Sequence, residues 1–183
     1  MPRYIALLRG INVGGHRVKM GHLRELFEAL GFDDVTTFIA SGNVIFSAES
    51  HDAEALQGEI EGHLARELGY EVATFIRSPE ELEAVAAFQP PVSEAEDGSA
   101  SSLYVMFLAA PAGEDLRSTF AGLRTEMDDF HFSGREIYWL IQGKLSESPL
   151  FGTGIEKATR AVPNTMRNMN TVEKLVRKLE TTG

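Results

Sequence analysis

The sequence predicts an α/β protein of the α+β type, built from two tandem ferredoxin-like β-α-β-β-α-β repeats and a C-terminal helix. Apolar runs typical of strands alternate with segments of helical period in this order over residues 3–77. Part of the same order begins again after residue 102. We therefore predict a first repeat at residues 1–88, a linker at 89–102, and a second repeat with the C-terminal helix at 103–183.

The first repeat opens with an apolar strand at residues 4–8, followed by a loop with two adjacent glycines, Gly14 and Gly15. Such glycines allow backbone conformations that are barred to other residues. Apolar residues at helical spacing predict a helix after this loop: Leu23, Leu26, Phe27 and Leu30. Gly31 is placed to end this helix.

Hydrophobic periodicity and a helix N-cap residue predict the remaining elements of the first repeat. β-branched and aromatic residues at 35–39 and 44–46 predict a hairpin. Leucine and isoleucine at four-residue spacing predict a second helix at 56–68, and residues 72–76 supply another strand. Ser78 is expected to cap a short helix that follows.

The second repeat begins after a stretch with Pro90-Pro91, several acids and no apolar period, which is typical of a linker. A strand is predicted at 103–108, a helix at 113–123, and a hairpin at 130–132 and 137–141. These elements repeat the start of the first half.

The two halves also resemble each other in residues. Phe38 to Phe46 aligns with Phe130 to Tyr138, with Phe, Ser, Gly, Ile and a final aromatic residue at matching places. Together with the shared element order, this similarity indicates an internal duplication. Chance similarity over so short a segment is the alternative.

The end of the chain follows the pattern less well, because no final strand is evident. Residues 145–163 form a glycine-containing stretch with one or two helical turns around 155–158. Asn170 and Glu173 have the spacing of a helix N-cap and its reciprocal partner, and an apolar face continues to Leu179. We therefore expect the last helix to begin directly after Arg167-Asn168.

Charge is distributed unevenly. The net charge is −10, but residues 1–24 carry +5 and residues 151–183 carry +3, which leaves −18 for the middle of the chain. An acidic body disfavours nonspecific DNA binding, whereas two basic ends could form one positive site. Solubilising surface charge is the alternative interpretation of these ends.

Composition narrows the class of protein. The chain has no cysteine, which excludes disulfides, thiolate metal sites and cysteine nucleophiles, and fits a reducing cytoplasm. Apolar runs are too short to span a membrane and no signal-peptide pattern opens the chain, so we expect a cytoplasmic protein without a membrane partner. The five histidines lack metal-ligand spacing, so no metal is predicted.

Two segments have the composition of an anion site. The glycine-rich loop presents backbone amides among cationic side chains, and Arg167-Asn168 precedes a helix N-terminus. We predict that they converge to bind a phosphate-bearing or other anionic ligand, with the first hairpin contributing hydrogen bonds. Capping, loop-shaping and ion-pairing roles are the structural alternative for these residues. The predicted binding residues are Arg9, Asn12, Gly14, Gly15, Arg17, Lys19, Ser41, Asn43, Arg167, Asn168 and Asn170.

No reaction is predicted. The loop lacks both the P-loop pattern and the dinucleotide-binding fingerprint, and Ser41 lacks the flanking residues of a nucleophile elbow. Catalytic residues and cofactors are therefore unassigned, and enzymatic activity is left open. The alternative function is a protein or RNA interaction module with no small ligand, in which strand aromatics would stack on bases. Those aromatics are Tyr4, Phe46, Tyr104, Phe107, Tyr138 and Trp139.

Three motifs identify a resemblance: Leu7 to Gly15, Ser41 to Phe46, and Thr165 to Leu175. They resemble, in order and over nearly the whole chain, the bacterial family catalogued as domain of unknown function 1697. The resemblance implies a cytoplasmic α/β protein with two ferredoxin-like repeats and no established activity. The chain departs from the family at two places. Met169 follows Arg167-Asn168, where the family usually has an aromatic residue, and the segment around Phe151 is also atypical. If that aromatic stacks on a ligand, this member would bind more weakly or bind something else.

Overall fold

The chain forms two compact units, each with its own four-stranded antiparallel sheet. The first unit comprises Met1–Ala84 with Lys174–Gly183, and the second comprises Val85–Glu173. The predicted repeat boundaries at 88 and 102 stay a prediction. The computed structural model describes residues 1–12, 14–39, 42–90 and 101–182.

The first sheet has the strand order β2-β3-β1-β4. Its register is set by pairs such as Ile5 with Ile45 and Ala6 with Ile76. The described elements, in chain order, are β1 (Arg3–Leu8), α1 (Met20–Glu28), β2 (Asp33–Phe38), β3 (Asn43–Ser47), α2 (Ala53–Leu68), β4 (Thr74–Arg77) and α3 (Pro79–Ala86).

One face of this sheet forms the core of the first unit with α1 and α2. Because side chains alternate along a strand, Ala6 and Leu8 of β1 lie on the same face as Phe46 of β3. Phe27 of α1 and Ile60 of α2 pack into the same cluster. The apolar residues at helical spacing that predicted α1 and α2 therefore face the core, and this prediction is confirmed.

The helix ends of the first unit follow the predicted chemistry. Ser78 caps α3, since its hydroxyl accepts from the Glu81 N–H at 3.2 Å while the Glu81 carboxylate accepts from the Ser78 N–H at 2.9 Å. Gly69 ends α2 in the left-handed conformation, with φ of 80°. Asp52 caps the start of α2 by accepting two backbone N–H groups.

The second sheet has the order β6-β7-β5-β8, which matches the first sheet position by position. Its core contains Phe120, Phe130 and Trp139. A short 3₁₀ turn occupies Leu145–Glu147. The other described elements are β5 (Ser101–Leu108), α4 (Glu114–Ala121), β6 (Asp128–Ser133), β7 (Glu136–Gln142), α5 (Thr153–Thr159), β8 (Asn164–Asn168) and α6 (Met169–Thr181).

The predicted linker, 89–102, falls mostly on residues that the structure does not describe. Residues 91–100 lie outside the described residues, and Ser101 and Ser102 belong to β5 rather than to a linker. The serine-rich start of β5 has no apolar alternation to reveal a strand. It is paired all the same, Ser101 with Gln142 and Ser102 with Ile141.

The expectation that the second half lacks a final strand is wrong. Residues Asn164–Asn168 form β8, which pairs antiparallel with β5 through contacts such as Val105 with Arg167. The segment reads Asn-Thr-Met-Arg-Asn, so its sequence has no apolar alternation. Pairing with a central strand, rather than local preference, defines this strand.

The residue alignment of the two hairpins also needs correction. It matched Ile45 with Ile137, yet Ile137 belongs to the core beside the helices, whereas in β3 that face carries Val44 and Phe46. Ile45 therefore faces the opposite side of its sheet. A slip of one residue reverses every side chain on a strand, so the structural match is Phe46 with Trp139.

Among the described residues, the longest helix is α2, and no helix combines the length and apolar character that a membrane crossing requires.

Candidate functional site

The loop between β1 and α1, residues 9–19, is here called the first connection. Its glycines adopt positive φ angles: 66° at Gly10, 62° at Gly14 and 86° at Gly15. Asn12 closes the loop, because its Oδ1 accepts a hydrogen bond of 2.8 Å from the Val18 N–H. A Cβ atom placed on Gly14 or Gly15 would meet nothing within 4 Å, so these glycines serve backbone conformation rather than close packing.

The first connection borders an open cleft of about 480 Å³ within the first unit. Gly15, Arg17 and Lys19, all predicted as binding residues, line it. The opposite wall comes from the end of α2 and the residues that follow it. The lining consists of Gly15, His16, Arg17, Val18, Lys19, His22, Glu67, Leu68 and Tyr70.

The cleft also contains the start of α1. Lys19 is the N-cap residue of this helix, but its side chain makes no capping hydrogen bond, and the first turn has no acidic residue. The first N–H groups of a helix lack partners inside the helix, and they carry the positive end of its dipole. With Arg17 and Lys19 exposed beside them, the electrostatics at this end of the cleft favour an anion.

An aromatic stack forms one wall of the cleft. The rings of His16 and Tyr70 lie 3.7 Å apart between centroids and 22° from parallel. The Tyr70 hydroxyl donates to the Ile11 carbonyl oxygen at 3.3 Å. Burial raises the pKa of Tyr70 above its ordinary value, so this hydroxyl keeps its proton at neutral pH.

Two predicted binding residues of the first repeat, Arg9 and Asn43, are not among the described residues that line the cleft. Arg9 is exposed at the end of β1, where its N–H donates to the Ala73 carbonyl, and it is not among the described residues that line the cleft. Asn43 is fully buried, and its Nδ2 donates to the Phe38 carbonyl at 2.9 Å across the end of the hairpin. Ser41 lies outside the described residues.

The predicted residues of the C-terminal motif belong to the second unit. Arg167 is 6% exposed, and its Nη1 donates to the Thr165 hydroxyl at 2.6 Å and to the Met166 carbonyl at 2.9 Å. Burial lowers its pKa to about 10, so the side chain is charged at neutral pH. That these residues complete one site with the first connection stays a prediction.

The expected helix cap at Asn170 is misplaced by two residues. Helix α6 begins at Met169, and the Oδ1 of Asn168 accepts from the Asn170 N–H at 2.8 Å. Asn168 therefore caps the helix, and Asn170 lies in its first turn. The sequence offered two Asn residues with capping chemistry, and the extent of β8 decides between them.

The strand aromatics considered for RNA stacking are mostly buried. Tyr4, Phe46, Phe107, Tyr138 and Trp139 are each at most 7% exposed. Only Tyr104 of this set is half-buried. The five buried side chains serve the interior, so they do not offer a stacking surface on the described sheets.

The histidines are not arranged as metal ligands among the described residues, where no group of three or more histidine and acidic side chains is placed to hold an ion. His63 is half-buried in α2. His131 lies 3.1 Å from an Asp129 carboxylate oxygen, and Arg124 pairs with the other oxygen of that carboxylate at 2.9 Å.

Sequence reasoning assigned three of the nine lining residues to the site and missed the other six. His16 and His22 were near the predicted loop but were not assigned to the site, and Glu67 and Tyr70 come from the distant end of α2. The available signal was Gly69, which ends α2 and directs the chain back toward the sheet. Nothing local to Tyr70 indicates that it contacts Ile11 and His16.

Comparison with known proteins gives a fold and a family. The structure of the conserved bacterial protein SP0830 from Streptococcus pneumoniae is similar, with a TM-score of 0.72, 24% sequence identity, and coverage of 98% of this chain and 99% of that chain. At this identity the similarity establishes the fold alone. No curated protein matches the chain. A family model described as "Protein of unknown function (DUF1697)" matches residues 1–138, and the chain therefore belongs to this family.

Proposed function

We propose that the protein binds a small phosphate-bearing or other anionic ligand in the cleft beside the first connection. The observation that carries this proposal is the lining itself: Arg17 and Lys19 stand next to a helix start without a side-chain cap or acidic residue. Charged donors and free amides together suit phosphate and carboxylate groups. The cleft volume of about 480 Å³ falls in the range of small-molecule sites.

We also propose that the two units are ferredoxin-like repeats that arose by internal duplication. Their equal strand order supports this, as do two arginines at matching positions. Arg77 at the end of β4 and Arg167 near the end of β8 each donate from Nη1 to the carbonyl of the preceding residue at 2.9 Å. Each is followed by a residue that caps the next helix, Ser78 or Asn168.

The anion site can be tested by titration calorimetry with inorganic phosphate and pyrophosphate. We expect saturable binding to the wild type that weakens as salt is added. The double variant Arg17→Ala, Lys19→Ala should lose about a hundredfold in affinity, since each lost charged contact is worth about tenfold. A matched control is Arg24→Ala with Lys174→Ala, which removes two exposed cations that do not line the cleft.

The control should bind within about threefold of the wild type, because it changes net charge equally without touching the cleft. Equal losses in both double variants would assign the binding to net charge and contradict the proposed site. Wild-type protein that binds neither anion would contradict the function as well. Melting temperatures of all variants without ligand show whether each remains folded.

A further inference from the structure

The His16–Tyr70 stack gives the cleft a flat aromatic surface that a simple anion would not use. Two contacts position Tyr70: the ring stack with His16, at 3.7 Å between centroids, and the hydrogen bond from its hydroxyl to the Ile11 carbonyl oxygen. One face of the imidazole is covered by Tyr70, yet His16 as a residue is exposed. Because His16 is exposed and lines the cleft, its other face is where we place a planar ring of the ligand.

The polar lining is mixed in sign. Arg17 and Lys19 attract an anion, but the acidic residue Glu67 lines the same cleft. A carboxylate repels phosphate and accepts hydrogen bonds from amino groups. The lining thus favours a ligand that combines a negative group with a separate N–H donor.

Resting on the proposed function, we infer that the ligand is a nucleoside monophosphate, whose phosphate is bound by Arg17 and Lys19 and whose base stacks on His16. A phosphorylated sugar would supply the anion but would leave the aromatic surface unused. A free nucleoside would use the stack and leave the cations unpaired. Stacking of a base on an aromatic side chain is worth about 1–3 kcal/mol, which corresponds to about fivefold to 150-fold in affinity.

The test compares three probes by calorimetry: adenosine monophosphate, ribose phosphate and adenosine. We expect the wild type to bind adenosine monophosphate at least about fivefold more tightly than ribose phosphate, and adenosine most weakly. His16→Ala should abolish the preference for the nucleotide and leave ribose phosphate binding within about twofold. His16→Phe keeps a ring at this position and should retain the preference, and Tyr70→Phe should retain it as well because the stack survives.

The outcomes separate this inference from the proposed function. Equal affinities for adenosine monophosphate and ribose phosphate, both lost in the Arg17→Ala, Lys19→Ala variant, would overturn the nucleotide inference and support the anion site. Absence of binding by all three probes and by inorganic phosphate would overturn both. If His16→Ala weakens ribose phosphate as much as the nucleotide, His16 shapes the loop and does not recognise a base.

Discussion

The two units place very different connections at the same point of the same sheet order. In the first unit, residues 9–19 join β1 to α1 through a long glycine-rich loop. In the second, residues 109–113 join β5 to α4 through a short segment. Helix α1 starts after Arg17 and Lys19 with no acid in its first turn, whereas α4 starts with Glu114 and Asp115. The second helix start is balanced by its own acidic residues, and the first is left able to attract an external anion.

The sheet-and-helix scaffold, which both units share, is therefore separable from the candidate site, which lies beside the first connection. Both units build a core between one sheet face and the helices that pack on it. Only the first connection adds cations, positive-φ glycines and an aromatic wall to that scaffold. Changes in or beside the first connection should therefore affect ligand binding, whereas matched changes in the second unit should not.

The largest effect is expected at the hairpin glycine that packs against the first connection. A Cβ on Gly42 would lie 2.8 Å from Ile11 Cγ2 and 3.1 Å from Leu8 Cβ, and φ is 83°. Gly42→Ala should therefore lower the free energy of unfolding by about 3 kcal/mol, since overpacking and a strained backbone act together. Urea unfolding followed by circular dichroism measures the loss.

The glycine of the second hairpin is the matched control. Gly134 also has a positive φ, 55°, but an added Cβ would meet only the flexible end of Glu136, at 3.2 Å. Gly134→Ala should cost about 1 kcal/mol, from backbone strain alone. Equal losses in the two variants would mean that the first hairpin does not pack tightly on residues 8–11.

The second prediction concerns the bond that closes the first connection. Asn12→Ala removes the acceptor of the Val18 N–H and should cost about 1 kcal/mol of stability. It should also weaken phosphate binding several-fold although every cation is retained, because Arg17 and Lys19 are presented by the closed loop. Unfolding and calorimetry on the same preparations give both quantities.

Its control is a residue of α4 that bonds to the second connection. Arg117 donates from Nε to the Ala112 carbonyl at 3.1 Å and lies over the Phe132 ring at 5.1 Å from its centroid. Arg117→Ala should lower stability by a similar amount and leave phosphate affinity unchanged. Unaltered affinity in Asn12→Ala would show that loop closure is not needed to present the cations.

Most of the scaffold could be predicted because its elements carry local signals. The apolar period of α1 and α2, the glycine that ends α2 and the capping pair Ser78 and Glu81 all act within one or two turns of helix. The strand β8 could not be predicted in this way. Its residues are polar, and its conformation depends on pairing with β5, more than fifty residues earlier in the chain.

The residues of the candidate site also fall into two groups, those with a local sequence signal and those without one. The cationic half of the cleft is contiguous in sequence, so composition alone indicated Gly15, Arg17 and Lys19. Tyr70 enters through packing of the α2 end, which no pattern near it reveals. Asn43 shows a related effect: its amide is of a type that suits a ligand, and the fold buries it fully and pairs its Nδ2 with the Phe38 carbonyl.

The smallest effect tests the electrostatic contrast between the two helix starts. Gly21 lies in the first turn of α1, and a Cβ there would meet nothing within 4 Å. Gly21→Ala should stabilise the protein by about 0.5–1 kcal/mol through helix propensity. Gly21→Glu gives α1 an acidic first turn like that of α4, and its favourable charge at the helix start should offset its slightly lower propensity.

The two variants should therefore differ little in stability but clearly in phosphate affinity. Gly21→Ala should bind phosphate as the wild type does, whereas Gly21→Glu should bind it several-fold more weakly because the carboxylate repels the anion at the helix start. Neutralising α4 by Glu114→Gln with Asp115→Asn should lower stability slightly and leave binding unchanged. If Gly21→Glu binds phosphate as well as Gly21→Ala does, the anion lies away from the start of α1, and Arg17 and Lys19 alone account for its attraction.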